Sequence, residues 1–300
     1  MIVLTGDGRG GFTAPSITSY EGHVLGVGDF NRDARIDLIV ADPASGSVAI
    51  LPGNGDATFA DARPVAANPD VTFAISADLD GDGKRDLIVG AEGFSIAVLP
   101  GRGDFTFGPE ITLAANASPH DGIIADLDGD GRKDVIVANR LFQAVTVFLN
   151  QGGLQFTGTD VAVGGNANDV TVSDVNRDGH LDLIVATSSG GDADAFFDEG
   201  HAEVLLGRGD GTFSPGTAYH VPRGAWEIVA GDFTRDGIVD IATARPILHI
   251  LQPGLRLGLA DLGQRDDPCR DGTTAPSARR RRSRSATRAT WTTKTSRTRC

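Results

Sequence analysis

The 300-residue chain carries 40 Asp and Glu against 27 Lys and Arg, a net charge of −13, with 40 glycines and two cysteines. Both cysteines, Cys269 and Cys300, lie near the end, so no disulfide framework staples residues 1–264. Residues 265–300 alone have a net charge of +8, which leaves −21 for residues 1–264, and a body so acidic repels nucleic acid and anionic membrane while suiting cations. There is no apolar run of about 18 residues to span a membrane, and the opening MIVLTGDGRGGF lacks the basic-then-apolar order of a secretion signal.

In chain order the first element is LTGDGRGGF (Leu4–Phe12), a Gly-rich turn closed by an aromatic. The pattern then repeats. Five segments align without gaps: DFNRDARIDLIVA from Asp29, DLDGDGKRDLIVG from Asp78, DLDGDGRKDVIVA from Asp126, DVNRDGHLDLIVA from Asp174 and DFTRDGIVDIATA from Asp232. Their starts are 49, 48, 48 and 58 residues apart. A second motif follows at a similar offset: LPGNGDATF (Leu51–Phe59), LPGRGDFTF (Leu99–Phe107), LNQGGLQF (Leu149–Phe156) and LLGRGDGTF (Leu205–Phe213). Two linked motifs in phase define a tandem repeat of about 48 residues.

Each unit predicts four short strands. In the fourth these are Asp169–Ser173, Leu181–Thr187, Glu203–Leu206 and a strand within Gly211–Val221, separated by turns rich in Gly, Asp and Asn. No window shows helical periodicity. Runs such as DLIVA are continuously apolar, as in strands covered on both faces, so the expected fold is all-β: a β-propeller of four-stranded blades. A β-sandwich would not repeat at this period.

The central motif has the chemistry of a metal loop. Its positions 1, 3, 5, 7 and 9 are Asp29, Asn31, Asp33, Arg35 and Asp37 in the first unit, and Asp78, Asp80, Asp82, Lys84 and Asp86 in the second. They are Asp126, Asp128, Asp130, Arg132 and Asp134 in the third, and Asp174, Asn176, Asp178, His180 and Asp182 in the fourth. The fifth has Asp232, Thr234, Asp236, Ile238 and Asp240. So many carboxylates in nine residues repel one another unless a hard cation neutralises them, and Ca²⁺ accepts six to eight oxygens in loose geometry. Position 7 varies freely in side chain, as expected of a residue that offers its backbone carbonyl. Position 6 is Gly83, Gly131, Gly179 and Gly237, but Ala34 in the first unit; with Thr234 in the fifth, this predicts weaker first and fifth sites. The absence of His or Cys side chains from the proposed oxygen set argues against zinc or copper. An EF-hand needs Glu at position 12, where this chain has Val40, Val89, Val137, Val185 and Thr243.

Asp-x-Asp-x-Asp-Gly-x-x-x-Asp-Leu-x-Val followed by Leu-x-Gly-x-Gly-Asp-Gly-x-Phe resembles the FG-GAP (VCBS) repeat of integrin α propellers and many bacterial secreted proteins, over about residues 1–255. The resemblance implies seven or eight blades, calcium loops on one face, ligand-binding loops on the other, and an extracellular setting. Five metal loops and an opening inside a repeat lead us to expect a fragment of such a ring spanning 1–264, although a five-bladed ring is an alternative. Residues 265–300 differ in composition: they form an Arg-rich disordered tail, or a shifted reading frame in which Thr290–Thr298 (TWTTKTSRT) stands for DLDDEDVAD.

No nucleophile–base pair, HExxH or phosphate-cradling loop is present, so the expected function is a non-enzymatic calcium-stabilised module that binds protein or glycan outside the cell. The alternative, from the same resemblance, is a carbohydrate-active enzyme of polysaccharide lyase type, or a lectin module of one; scarce lysine and only Tyr20 and Tyr219 weigh against it. His23, Thr72, His120, Asn168 and Trp226, each six residues before a loop, either line a pocket or are ordinary loop positions. The insertion within Ser188–Glu203, with Phe196 and Phe197, is a further contact candidate. Two RGD tripeptides, Arg102–Asp104 and Arg208–Asp210, lie inside Gly-rich turns and are expected to serve those turns.

Overall fold

The computed structural model describes residues 1–244 except 14, 15, 18, 19, 21, 42–45, 66–70, 92, 94, 116, 117, 189–199 and 222–224, all within one compact unit, Met1–Leu248. The tail, the 264/265 boundary and the insertion with Phe196 and Phe197 lie outside the described residues. Among those described no helix forms, and so none is long enough to cross a membrane.

Every sheet is antiparallel. A short pair, β1 (Ile2–Val3) and β2 (Ser16–Ile17), comes first. Four four-stranded meanders follow. The first is β3 (Val24–Gly28), β4 (Asp37–Ala41), β5 (Val48–Leu51) and β6 (Arg63–Pro64); the second is β7 (Val71–Ala77), β8 (Asp86–Ala91), β9 (Ser95–Leu99) and β10 (Ile111–Ala114). The third is β11 (Pro119–Ala125), β12 (Asp134–Asn139), β13 (Ala144–Asn150) and β14 (Phe156–Ala162). The fourth is β15 (Asn166–Ser173), β16 (Asp182–Ser188), β17 (Gly200–Leu205) and β18 (Thr217–Val221), and a pair, β19 (Glu227–Gly231) and β20 (Asp240–Ala244), opens the fifth repeat. The first strands lie side by side, β3 against β7, β7 against β11, β11 against β15 and β15 against β19. Separate four-stranded sheets ranked on their first strands are the blades of a β-propeller, as the repeat period predicted; a two-sheet sandwich is excluded.

The continuous apolar runs follow from this stacking. Alternate residues of a strand face opposite ways, and here both ways lead to a neighbouring blade. On β8, Leu87 and Val89 pack with Ile39 and Ile50 of the preceding blade, while Ile88 packs with Val135 and Val137 of the next. On β12 those same valines face backward and Ile136 faces forward, towards Leu183 and Val185; Ile184 in turn meets Ala225 and Ile228. Ile88, Ile136 and Ile184 are fully buried, each contributing about 2–3 kcal/mol in transfer free energy. Fourth strands such as β14 and β18 stay largely exposed.

The first strands of the four complete blades each carry a bulge, between Val24 and Gly26, Val71 and Phe73, Pro119 and Asp121, and Ala167 and Asp169. The extra residues are Leu25, Thr72, His120 and Asn168. A bulge re-aims its side chain, here towards the next blade. Thr72 Oγ1 donates to the Pro119 carbonyl at 2.7 Å, and Asn168 Nδ2 donates to the Ala225 carbonyl at 2.8 Å. His120 Nδ1 lies 2.7 Å from the Asn168 carbonyl oxygen, which only accepts, so this nitrogen carries the proton. Three of the five residues placed by sequence before the loops are therefore inter-blade staples. Trp226 instead lies under the Arg140 guanidinium, 4.6 Å from its ring centre.

Asp121 and Asp169 directly follow two of the extra residues. Asp169 Oδ2 accepts the Ile228 N–H at 2.7 Å, across to β19, and the buried Asp121 carboxyl is close enough to Asp169 to feel it. Two carboxyls near one another away from water resist both being ionised. Burial, and then Asp169, push Asp121 from the ordinary 3.8 up to about 8. Between those values the folded chain holds a proton that the unfolded chain releases, so this pair's contribution to stability falls as pH rises from 4 to 8 and levels off above. Asp121→Asn places a neutral amide beside Asp169 without needing the proton. Denaturant unfolding at fixed calcium should show wild type losing up to about 1 kcal/mol per pH unit relative to this variant over that window; parallel pH profiles would contradict the raised Asp121 carboxyl.

Candidate metal centres

The five acidic loops occupy one end of the blades, each joining the first strand to the second. Their ninth residues, Asp37, Asp86, Asp134, Asp182 and Asp240, are the opening residues of β4, β8, β12, β16 and β20. Each motif thus folds as an eight-residue turn that runs into the second strand, buried throughout in the second, third and fourth repeats, and the strand anchors the turn.

Within the loops, backbone N–H groups converge on the carboxylates. The first-position aspartate takes the N–H of residue 6 on Oδ2, from Ala34, Gly83, Gly131 and Gly179 at 2.9 Å and from Gly237 at 2.8 Å. Its Oδ1 separates the loops into two classes. In loops two and three it accepts from residue 4, Gly81 and Gly129, at 2.8 Å. In loops one, four and five it accepts from residue 5 instead, Asp33, Asp178 and Asp236, at 3.1–3.2 Å. The fifth-position carboxylate accepts the N–H of residue 7 in all five loops at 2.8–2.9 Å.

Side chains brace the same carboxylate. Arg35 pairs with Asp33 at 3.8 Å, and Lys84 and Arg132 pair closely with Asp82 and Asp130. In loops one and four the third-position amide also donates to it, Asn31 to Asp33 at 2.9 Å and Asn176 to Asp178 at 2.8 Å. The Lys84 hydrogen bond holds Asp82 below the usual carboxylate range, and the Asn31 amide does the same for Asp33. The seventh side chain is therefore engaged where it is cationic, although the sequence expects only its carbonyl to matter.

The ninth aspartate is a buried clasp. Asp37, Asp134 and Asp182 have no solvent exposure and Asp86 has 1%. One oxygen accepts the N–H of loop residue 2, from Phe30, Leu79, Leu127 and Val175 at 2.8 Å. The other reaches the second motif, accepting from Gly53 at 2.9 Å and from Gly101, Asn150 and Gly207 at 2.8 Å. Burial pushes Asp37, Asp86 and Asp134 upward, and these N–H bonds pull them back. The glycines sit where nothing larger fits: a Cβ would lie 2.1 Å from the Ile36 carbonyl at Gly53 and 1.9 Å from the Arg85 carbonyl at Gly101. The phase between the two motifs is this bond.

Carboxylate oxygens of Asp78, Asp80 and Asp86 lie within 4.8 Å of one another, as do those of Asp126, Asp128 and Asp130. These groups could hold a metal ion: oxygen donors at that spacing suit a hard cation. Among the described residues no such three-carboxylate group gathers in loops one, four and five, where an amide or hydroxyl replaces the third carboxylate. Position 4 carries the signal for this split, Gly in two loops and Arg in three. The Asp121–Asp169 pair was not singled out from sequence, although Asp121, Asp169 and Glu227 recur at one repeat position. The RGD aspartates, Asp104 and Asp210, accept from Thr106 and Thr212 and cap their turns, as expected.

Comparison with known proteins agrees with this anatomy. No curated protein matches the chain by sequence. Solved structures that resemble it include BBS1N, crystallised in complex with ARL6DN, with 14% identity and a TM-score of 0.46 over 73% of this chain and 62% of that one. The V. cholerae biofilm matrix protein Bap1 matches at 15% identity and a TM-score of 0.46, over 69% of this chain and 30% of that one. A chain of the Photorhabdus luminescens Tc holotoxin pore matches at 16% and 0.38, over 80% and 11%. The chain thus spans less than two thirds of each. The model of the FG-GAP-like repeat matches residues 29–89, 78–137, 126–185 and 191–243; the first three matches begin at the first aspartate of an acidic loop, and all four end in the next repeat's second strand. With the loops, the blades and the family model in register, this chain belongs to the FG-GAP-like repeat family.

Proposed function

We propose that the chain is a calcium-stabilised propeller module that serves, without catalysis of its own, as an extracellular binding or adhesion surface for a protein or glycan. The observation that carries the calcium reading is the convergence of the Asp78, Asp80 and Asp86 oxygens, and of those of Asp126, Asp128 and Asp130, within 4.8 Å. The first, third, fifth and ninth side chains of each loop and the seventh carbonyl would be its ligands: Asp29 to Asp37, Asp78 to Asp86, Asp126 to Asp134, Asp174 to Asp182 and Asp232 to Asp240. A bound cation removes carboxylate repulsion in the turn. The chain's own part is to hold the oxygens by backbone N–H bonds before an ion arrives, which lowers the ordering cost of binding. FG-GAP repeats are typical of extracellular proteins, where millimolar calcium fills sites of modest affinity. The proposed partner surface is the end of the blades opposite the loops, where Leu141 and Phe142, on the β12–β13 connection, are 52% and 49% exposed.

Titration calorimetry on the full chain should find about three to five calcium ions, and melting in calcium should exceed melting in chelator by on the order of 2–3 kcal/mol per well-filled site. An unchanged melt with no heat of binding would remove the metal reading. Asp134→Asn separates the clasp from the ion. Its amide would turn a donor towards either the Leu127 or the Asn150 N–H, so stability should fall by about 2–4 kcal/mol even in excess chelator. A loss seen only in calcium would show that Asp134 acts solely as a ligand.

A further inference from the structure

The fourth loop residue has a left-handed backbone throughout: Gly81 and Gly129 at φ 78° and 75°, but Arg32, Arg177 and Arg235 at 62°, 63° and 61°. An L-residue held there costs on the order of 1 kcal/mol relative to glycine, and such strain persists where the side chain has a task. We propose that the fourth-position arginines reach to the next blade's loop and hold it in shape for its ion, Arg177 serving loop five and Arg32 serving loop two. This inference rests on the calcium reading of the loops.

Arg177 Nη2 donates to the carbonyl of Gly237, the sixth residue of loop five. The following N–H, of Ile238, is held by Asp236 Oδ1 at 2.8 Å, so the Gly237–Ile238 peptide is fixed at both ends. That peptide sets where the Ile238 carbonyl, the proposed backbone ligand, points. Loop five needs this support. It has Ile238 where the other loops have Arg35, Lys84, Arg132 or His180, so no side chain at its own seventh position braces the fifth carboxylate. Its third residue is Thr234, whose N–H turns to Asp240 Oδ2 at 3.1 Å. Arg177 supplies from the neighbouring blade the cation that loop five lacks at that position.

Arg32 reaches in the same direction at the first junction, from loop one towards loop two. Its Cδ lies 3.1 Å from where a Cβ on Gly103 would stand, beside the Lys84 Cδ at 3.3 Å, and its charge acts on both Asp82 and Lys84. Loops three and four follow loops with glycine at position 4, so they receive no such arm and serve as internal controls.

The test uses the full ¹⁵N-labelled chain titrated with calcium chloride, with the amides of Gly83, Gly131, Gly179 and Gly237 each reporting its own loop. Arg177→Gly installs the residue that loops two and three already carry, so it relieves backbone strain rather than unfolding the blade. Its loop-five midpoint should rise about three- to tenfold while those of loops two and three stay in place, and Arg177→Lys should recover part of the shift. Arg32→Gly should do the same to loop two alone. A loop-five midpoint that stays or falls in Arg177→Gly overturns the inference, a fall meaning that the guanidinium charge opposes the ion. If no wild-type loop responds to calcium, the metal reading fails instead; the arm is then judged by hydrogen exchange without metal, where Arg177→Gly should speed exchange of Gly237 and Ile238 several-fold and leave Gly83 unchanged, and unchanged exchange overturns it.

Discussion

A carboxylate without access to solvent must find its partners inside the fold, and the ninth loop aspartate finds them in two backbone N–H groups from different parts of its blade. One belongs to the loop and the other to the end of the third strand or the turn just after it, so a single side chain ties three segments together. Removing either N–H would leave a buried anion short of a partner, which costs more than an ordinary hydrogen bond is worth. Much else follows from this bond. The second motif must bring its backbone close, which is why glycine occupies Gly53, Gly101 and Gly207, and the acidic turn must close tightly enough to hand over the N–H of its second residue.

Packing between blades solves a different problem, because each blade must be apolar on both faces yet stop at its outer edge. Second and third strands supply both faces, and exposed fourth strands end the layer. The inner strands then need specific joints. At one repeat position the joint is made in two ways: Phe73 packs so closely on Gly122 that a Cβ there would lie 2.6 Å from its ring, whereas later blades carry Asp121, raised by burial and by Asp169, and Asp169, which takes the Ile228 N–H. The aromatic joint carries no titratable group, whereas the acid joint places the raised Asp121 carboxyl between blades.

The loops show how small local choices divide equivalent sites. With glycine at the fourth position the first aspartate accepts from that residue and three carboxylates gather; with arginine the bond moves one residue on. The arginine loops in turn carry a long cationic side chain that glycine cannot offer, and Arg177 uses it on the neighbouring loop.

The repeat, the strand order and the identity of the acidic loops were legible in the chain, because they rest on local chemistry: continuous apolar runs, turn residues and clustered charge recurring at a fixed spacing. The expectation of two-sided burial for DLIVA held for the same reason, since polarity on neither face leaves only a covered strand. The roles of particular polar residues were settled elsewhere. Thr72, His120 and Asn168 could not be told from pocket residues until a bulge aimed them at the next blade, and the Asp121–Asp169 pair joins side chains 48 residues apart. Sequence by itself determined which segments become strands and which turns collect charge. Tertiary structure alone decided which carboxylates meet and which are clasped by backbone, because hydrogen bonds and close carboxyl pairs depend on distances between blades that no local pattern encodes.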